Sequence, residues 1–173
     1  MAFDPKNTAA TAQRYFNSNS PLTRLGAGVG GYVYLSPDLR TAVKIHNHEH
    51  GFRRELFVYR RLRELRIIRL NGLTIPRLHD ARPDLMLIQM DFVSAPYLLD
   101  FAGVLLQPLD IVFDAERIEY WHESIAGFFG PNAHIAYAVY NTLAKHGLYY
   151  VDFRPSNLNL TGPPGLEPYN PAD

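Results

Sequence analysis

The chain has 173 residues, of which 47% are hydrophobic and 20% charged, and this length supports one domain or two small lobes. Its formal net charge is zero, which argues against general binding of nucleic acid or of membrane surfaces. It contains no cysteine, which excludes disulfides, cysteine nucleophiles and thiolate metal sites, and with no apolar signal segment or membrane span in the sequence we expect a cytoplasmic protein.

The N-terminal part predicts three antiparallel strands. Residues 1–20 are polar and rich in small residues, which is typical of a loose arm or a short helix. Residues 21–35 predict a strand, a glycine turn and a second strand, and a tight turn over 36–40 leads to a third strand over 40–46. These strands are expected to form a meander.

A helix and two further strands follow. Residues 51–69 carry apolar groups three and four apart, the pattern of an amphipathic helix. Strands are predicted over 74–80 and 85–92, and the second is nearly all apolar, as in the centre of a sheet. With the meander they make five strands.

The C-terminal part predicts helices and one polar loop. Residues 93–113 are irregular, and helices are expected over 114–128, where Asp114 is a suitable N-cap, and over 131–146. The next stretch, GLYYVDFRPSNLNL at 147–160, concentrates polar groups between apolar flanks.

The segment LGAGVGGYV, residues 25–33, contains the pattern G-x-G-x-x-G. In dinucleotide-binding proteins this pattern opens a helix, but here it lies between two predicted strands. That context is typical of the glycine hairpin that covers phosphates in kinases. A flexible hairpin without a ligand explains the motif alone equally well.

Lys44 lies in the apolar strand TAVKIH. A buried ammonium is costly unless it meets an anion, although strand alternation also allows Lys44 to face solvent. Glu55, on the helix that follows, could reach Lys44 and hold it over a phosphate, or it could be a solvated helix charge.

The loop at 147–160 carries Asp152, Arg154 and Asn157 in the pattern D-x-[KR]-P-x-N. A carboxylate can accept the proton of an attacking hydroxyl, an amide oxygen can bind Mg²⁺, and a guanidinium can neutralise a transferring phosphate.

In this order the four elements resemble the protein-kinase-like superfamily, which includes protein kinases and aminoglycoside-phosphotransferase-type enzymes, over roughly residues 20–160. The resemblance implies an α+β protein-kinase-like fold: an N-terminal arm (1–20), an N-lobe with a five-stranded antiparallel sheet and an αC helix (21–93), and a hinge with a truncated helical C-lobe (94–173). It also implies an ATP- and Mg²⁺-dependent phosphotransferase that moves the γ-phosphate to a hydroxyl of a protein or small molecule.

The resemblance also assigns residues. Asp152, Arg154 and Asn157 are expected to be catalytic, with Asn157 and Asp173 as metal ligands. Met90 corresponds to the gatekeeper, and the backbone of Asp91, Phe92 and Val93 to the adenine-binding hinge. The expected ATP-binding residues are Gly26, Gly28, Gly31, Val33, Ala42, Lys44, Glu55, Met90, Asp91 and Val93.

The sequence departs from the family in three places. Tyr150-Val151 replaces the usual His-Arg before the catalytic Asp, so control by a phosphorylated activation loop is not expected. No Asp-Phe-Gly follows Asn157; Asn170 and Asp173 lie near the expected spacing, and Glu167 is a weaker substitute.

The third departure is that the sequence given ends before an activation segment. The alternatives are therefore a truncated pseudokinase that acts as a nucleotide-binding or protein-interaction module, or a fragment completed by another chain. Both predict a homodimer or a partner protein covering the reduced C-lobe.

Three other features have simpler interpretations. His46, His48 and His50 alternate and could bind Zn²⁺ or Ni²⁺, but a solvated turn is the favoured interpretation. Residues 60–69, RRLRELRIIR, are more typical of a solvated helix face than of a nucleic-acid site. Trp121 is expected to lie in the core or in an interface.

Overall fold

A computed structural model describes residues 7–161 as an α+β protein. The chain divides into two compact units. The first comprises Met1–Leu65 and Pro76–Phe92, and the second comprises Arg66–Ile75 and Val93–Asp173. Residues 66–75 thus belong with the second unit, although in sequence they separate two segments of the first.

The described helices and strands are numbered in chain order. They are α1 (Thr8–Tyr15), β1 (Arg24–Gly28), β2 (Gly31–Leu35), β3 (Thr41–His46), α2 (Glu49–Glu64), β4 (Arg69–Leu70), β5 (Leu73–Thr74), β6 (Leu78–Arg82), β7 (Leu87–Asp91), β8 (Tyr97–Leu98), α3 (Leu109–Val112), α4 (Ala115–Phe129), α5 (Ala133–Ala144) and β9 (Leu158–Asn159). None of the helices within residues 7–161 is long and apolar enough to cross a membrane.

The first unit is built on a five-stranded sheet in the order β1-β2-β3-β7-β6. Every neighbouring pair is antiparallel. The predicted α+β class and five-stranded antiparallel sheet are confirmed. The apolar strand β7 lies inside the sheet, as its composition predicts, and Lys44 at the centre of β3 is paired with Val33 on one side and Ile88 on the other.

Both faces of β3 are covered, because a different helix packs on each. Val43 and Ile45 lie in a core cluster with Ala12 of α1. The alternate residues Lys44 and His46 lie on the opposite face, where α2 contributes their side-chain partners. The short N-terminal helix therefore covers one face of the sheet, and Lys44 is buried on the other face, beneath α2.

The helix α1 is held to the sheet by hydroxyl groups. Thr8 Oγ1 lies 2.9 Å from the Tyr34 hydroxyl. The Tyr15 hydroxyl donates to Asp80 Oδ2 at 2.7 Å. Burial, together with the Asp80 carboxylate, raises the pKa of Tyr15. The arm suggested by the sequence is thus in part an ordered helix.

Two predicted boundaries differ from the structure. The helix expected over 51–69 ends at Glu64, and Arg66 adopts a left-handed conformation with φ +56°. The strand expected over 74–80 is divided into β5 and β6 around Pro76. A proline lacks the N–H of a strand ladder and restricts the residue before it, which accounts for the interruption.

The second unit contains a small sheet in the order β4-β5-β8-β9 together with α3, α4 and α5. Asp114 is the N-cap of α4, as predicted, and its side chain accepts a hydrogen bond from the Arg117 amide at 2.9 Å. Ile125 is the buried residue of α4, and Tyr120 on the same helix is 71% exposed. This helix presents apolar groups to solvent.

Candidate functional site

The first candidate site is the pair that the sequence proposed for phosphate binding. Lys44 Nζ lies 2.8 Å from Glu55 Oε2, and the two side chains are only 7% and 1% exposed. The strand β3 places Lys44 on the face that α2 covers, and α2 turns Glu55 inward on its apolar side. The structure therefore brings together two residues eleven apart in sequence as a buried ion pair.

His46 is a third member that the sequence did not predict. Its Nε2 lies 2.6 Å from the same Glu55 Oε2, its Nδ1 lies 3.1 Å from the Met86 carbonyl oxygen, and the side chain is fully buried. Its ring also meets that of Phe52 edge to face. Period-two alternation, which puts His46 on the same face of β3 as Lys44, was the signal available in the sequence.

The three histidines of HNHEH do not come together. His46 ends β3, whereas the exposed His48 precedes α2 and His50 lies within it. Within residues 7–161, no group of three His, Asp or Glu side chains could hold a metal ion.

The carboxylate of Glu55 has unequal oxygens. Burial opposes its ionisation and alone would raise its pKa, but the Lys44 ammonium and the His46 hydrogen bond outweigh burial and lower the pKa to about 2. Oε2 meets both Lys44 and His46, and within residues 7–161 Oε1 has no hydrogen-bond partner. A buried oxygen without a donor is unusual, so the carboxylate retains capacity to accept another hydrogen bond.

The glycines of the hairpin are of two kinds, those without room for a side chain and those beside open space. Gly31 has φ +144°, and a Cβ there would lie 2.2 Å from the Ile45 carbonyl oxygen, so the close approach to β3 requires glycine. At Gly26 and Gly28, a Cβ would meet no described atom within 4 Å. Packing therefore does not require glycine at these two positions. The space beside the backbone there could hold a ligand.

Asn47 fixes the tip of the same hairpin. Its side-chain amide donates to the carbonyl oxygens of Gly28 and Val29 at 3.3 and 3.1 Å, and its backbone amide donates to Gly30 at 3.4 Å. Because Asn47 directly follows β3, it ties the hairpin to the strand that carries Lys44.

The residues expected to line a base lie on β2, β3 and β7. Ala42 pairs with Met90 across the sheet, Val33 pairs with Lys44, and the Tyr59 hydroxyl of α2 donates to Met90 Sδ at 3.0 Å. The predicted gatekeeper is therefore a buried side chain anchored to α2.

Asp91, at the end of β7, forms hydrogen bonds and ion pairs with two residues of the first unit, Arg77 and His79. Its amide donates to the Arg77 carbonyl oxygen at 3.1 Å, and its carboxylate meets Arg77 Nε at 2.8 Å and His79 Nε2 at 2.6 Å. Burial opposes ionisation, but the hydrogen bonds from Arg77 and His79 lower the pKa of Asp91. The Asp91 carboxylate is therefore held in place by groups of the first unit.

The second candidate site, in the second unit, is the loop around Asp152. Arg154 Nε donates to Asp152 Oδ1 at 2.7 Å, and Asn157 Nδ2 donates to Asp152 Oδ2 at 2.9 Å and to its carbonyl oxygen at 3.1 Å. The three predicted catalytic side chains thus form one cluster. Asn157 is buried, whereas the Asp152 and Arg154 side chains are 29% and 58% exposed.

Two aromatic residues hold the backbone beside Asp152. Trp121 Nε1 donates to the Val151 carbonyl oxygen at 2.9 Å. The buried Tyr150 hydroxyl donates to the Leu99 carbonyl oxygen at 2.6 Å. The sequence predicted that Trp121 would lie in the core or an interface; its hydrogen bond to the loop was not predicted.

The donor set for a cation is partial. The amide nitrogen of Asn157 is committed to Asp152, so its Oδ1, which accepts a hydrogen bond from Ser156 at 3.3 Å, is the atom that could ligate Mg²⁺. The proposed second ligand, Asp173, and its alternatives Glu167 and Asn170 lie outside the described residues.

Comparisons of the chain with protein-family models, with curated protein sequences and with solved structures gave no significant match. A functional assignment therefore depends on the geometry of these side chains.

Proposed function

We propose that this chain is a nucleotide-binding protein of the protein-kinase-like type that transfers the γ-phosphate of ATP to a hydroxyl acceptor. The observation that carries the proposal is the buried Lys44–Glu55 pair at 2.8 Å. Burying two charges costs more than a simple apolar contact would, so retention of the pair is best explained by a task for Lys44. Binding of the α- and β-phosphates is such a task.

The glycine hairpin supports the same function. Gly26 and Gly28 leave open space on strand β1, and Asn47 holds the hairpin tip to β3 by its carbonyl oxygens. Because Asn47 already binds these carbonyl groups, the backbone amide groups are the part of the hairpin that can bind an anion. Val33, Ala42 and Met90 would contact the base.

Phosphoryl transfer would use the second unit. Asp152 would accept the proton of the acceptor hydroxyl. At the same time the hydroxyl oxygen would bond to the γ-phosphorus, and the bond between the γ-phosphorus and the β-phosphate oxygen would break. Arg154 would release Asp152 Oδ1 to meet the γ-phosphate. Asn157 would hold Mg²⁺, which supplies charge neutralisation when bound.

A second candidate is a nucleotide-binding or interaction module without transfer. Both carboxylate oxygens of Asp152 already accept hydrogen bonds, from Arg154 and Asn157, and residues 7–161 contain no carboxylate cluster for a metal. Under this alternative ATP binds but is not consumed, and the exposed apolar groups of α4 would contact a partner protein or a second copy.

The proposal is tested by calorimetric titration of ATP into the wild type, Lys44→Met and Lys145→Met. Lys145 is an exposed lysine at the end of α5 and provides a matched control. We expect Lys44→Met to weaken ATP binding by about tenfold or more, the loss of one charge-assisted contact, and Lys145→Met to bind as the wild type does. Equal affinity in all three proteins would remove Lys44 from the site.

A further inference from the structure

His46 lies between two hydrogen-bond acceptors in the interior of the first unit. Its Nδ1 is 3.1 Å from the Met86 carbonyl oxygen, and its Nε2 is 2.6 Å from Glu55 Oε2. The ring also packs edge to face on Phe52. Glu55 Oε2, on α2, is in turn paired with Lys44, on the same strand as His46.

This geometry assigns one donor. Lys44, 2.8 Å from Glu55 Oε2, favours the ionised carboxylate. An ionised carboxylate can only accept a hydrogen bond, so His46 Nε2 carries a proton and donates it to Oε2 at 2.6 Å.

Glu55 Oε2 consequently accepts from two donors, the Lys44 ammonium and the His46 Nε2–H. A carboxylate oxygen shared between two donors neutralises Lys44 less than it would if it met Lys44 alone. The positive charge that remains favours binding of an anion at Lys44.

We propose that His46 is a positioning residue of the nucleotide site: its Nε2–H holds Glu55 Oε2 and takes up part of the negative charge of that oxygen, so that Lys44 keeps positive charge for a phosphate. Without this donor Glu55 pairs with Lys44 alone, and nucleotide affinity falls. The inference rests on the proposed function.

The test uses the full chain and three variants. His46→Gln keeps an N–H donor, and His46→Phe removes the donor while keeping an aromatic ring. His48→Gln is the matched control, because His48 is exposed and its side chain makes no capping hydrogen bond to α2. ATP affinity is measured by calorimetry at one fixed pH, and the free energy of unfolding of each protein is measured under the same conditions.

We expect His46→Gln to bind ATP within about threefold of the wild type and His46→Phe to bind it about tenfold more weakly, because only His46→Phe loses a hydrogen bond to a charged group. His48→Gln should follow the wild type. ATP binding with the same affinity in all four proteins would overturn the role of His46 and leave the proposed function standing.

A measurement without nucleotide covers the case in which His46→Phe fails to fold. Nitrogen-15 NMR of the histidine rings in the wild type should show a hydrogen-bonded proton on Nε2 of His46. A His46 ring without a proton on Nε2 would overturn the inference even if ATP binds. Failure of the wild type to bind ATP would instead overturn the proposed function, and the nucleotide role of His46 with it.

Discussion

Lys44 Nζ and Glu55 Oε2 lie 2.8 Å apart in the interior of the first unit, where they join the central strand β3 to the helix α2. Removing one partner of a buried ion pair typically costs about 3–5 kcal/mol, because the other charge is left uncompensated. The pair is therefore a structural connection as well as the centre of the proposed nucleotide site.

The first prediction concerns acid stability. The pKa of Glu55 is about 2 in the folded chain, against an ordinary value of 4.5. Because the folded-state pKa is the lower one, Glu55 contributes stability above pH 4.5 that is lost as pH falls towards 2, on the order of 3 kcal/mol. Denaturant unfolding at a series of pH values should show a decline over this window.

Glu55→Gln isolates that contribution. Other carboxylates with lowered pKa values, such as Asp91, also lose stability in acid, so the comparison with wild type is the readout. The variant should be less stable at pH 7 and should show a shallower decline below pH 4.5, whereas exposed Glu123→Gln should behave as the wild type. Parallel curves for Glu55→Gln and wild type would contradict the buried pair.

The second prediction separates two glycines of the hairpin. Gly31→Ala places a Cβ 2.2 Å from the Ile45 carbonyl oxygen at φ +144° and should destabilise the fold by about 2 kcal/mol or more. Gly28→Ala meets no described atom within 4 Å and should change the free energy of unfolding by less than about 1 kcal/mol. Thermal unfolding of both variants checks this.

The Gly28→Ala substitution should affect nucleotide binding rather than stability. Gly28→Ala should stay folded yet bind ATP more weakly, because its methyl group keeps a phosphate from the hairpin backbone. If Gly28→Ala keeps both stability and ATP affinity, the hairpin does not cover phosphates.

The third prediction concerns Asp152. Asp152→Asn removes the carboxylate that would accept the acceptor proton, and should reduce ATP turnover by at least about a hundredfold, whereas ATP affinity should stay within about threefold because Lys44 and the hairpin belong to the first unit. Asp110→Asn, at an exposed site on α3, is the control. Undiminished turnover in Asp152→Asn would exclude it as the base, and a wild type that binds ATP without turnover would favour the module.

Much of the first unit could be predicted from the sequence because its signals are local. Alternation in TAVKIH and the apolar run of β7 gave the sheet, and the spacing of apolar residues gave α2. The role of α1 could not be predicted, because its apolar residues are few and their packing against Val43 and Ile45 is a tertiary contact. The break at Pro76 was visible in the sequence, yet the competing strand pattern on either side obscured it.

The candidate residues of the site could be proposed from the sequence, because short motifs contain them. These residues are Lys44, Glu55, Asp152 and Asn157. The hydrogen bonds of His46 to Glu55, of Asn47 to the hairpin and of Trp121 to Val151 join residues up to thirty apart in sequence. Such contacts depend on tertiary packing, which no local spacing encodes.

The most direct test of the central claim is calorimetric titration of ATP into the wild-type chain, with and without Mg²⁺. The account predicts binding that tightens when Mg²⁺ is present, because Asn157 Oδ1 and the phosphates would share the cation. No binding at millimolar ATP under either condition would contradict it.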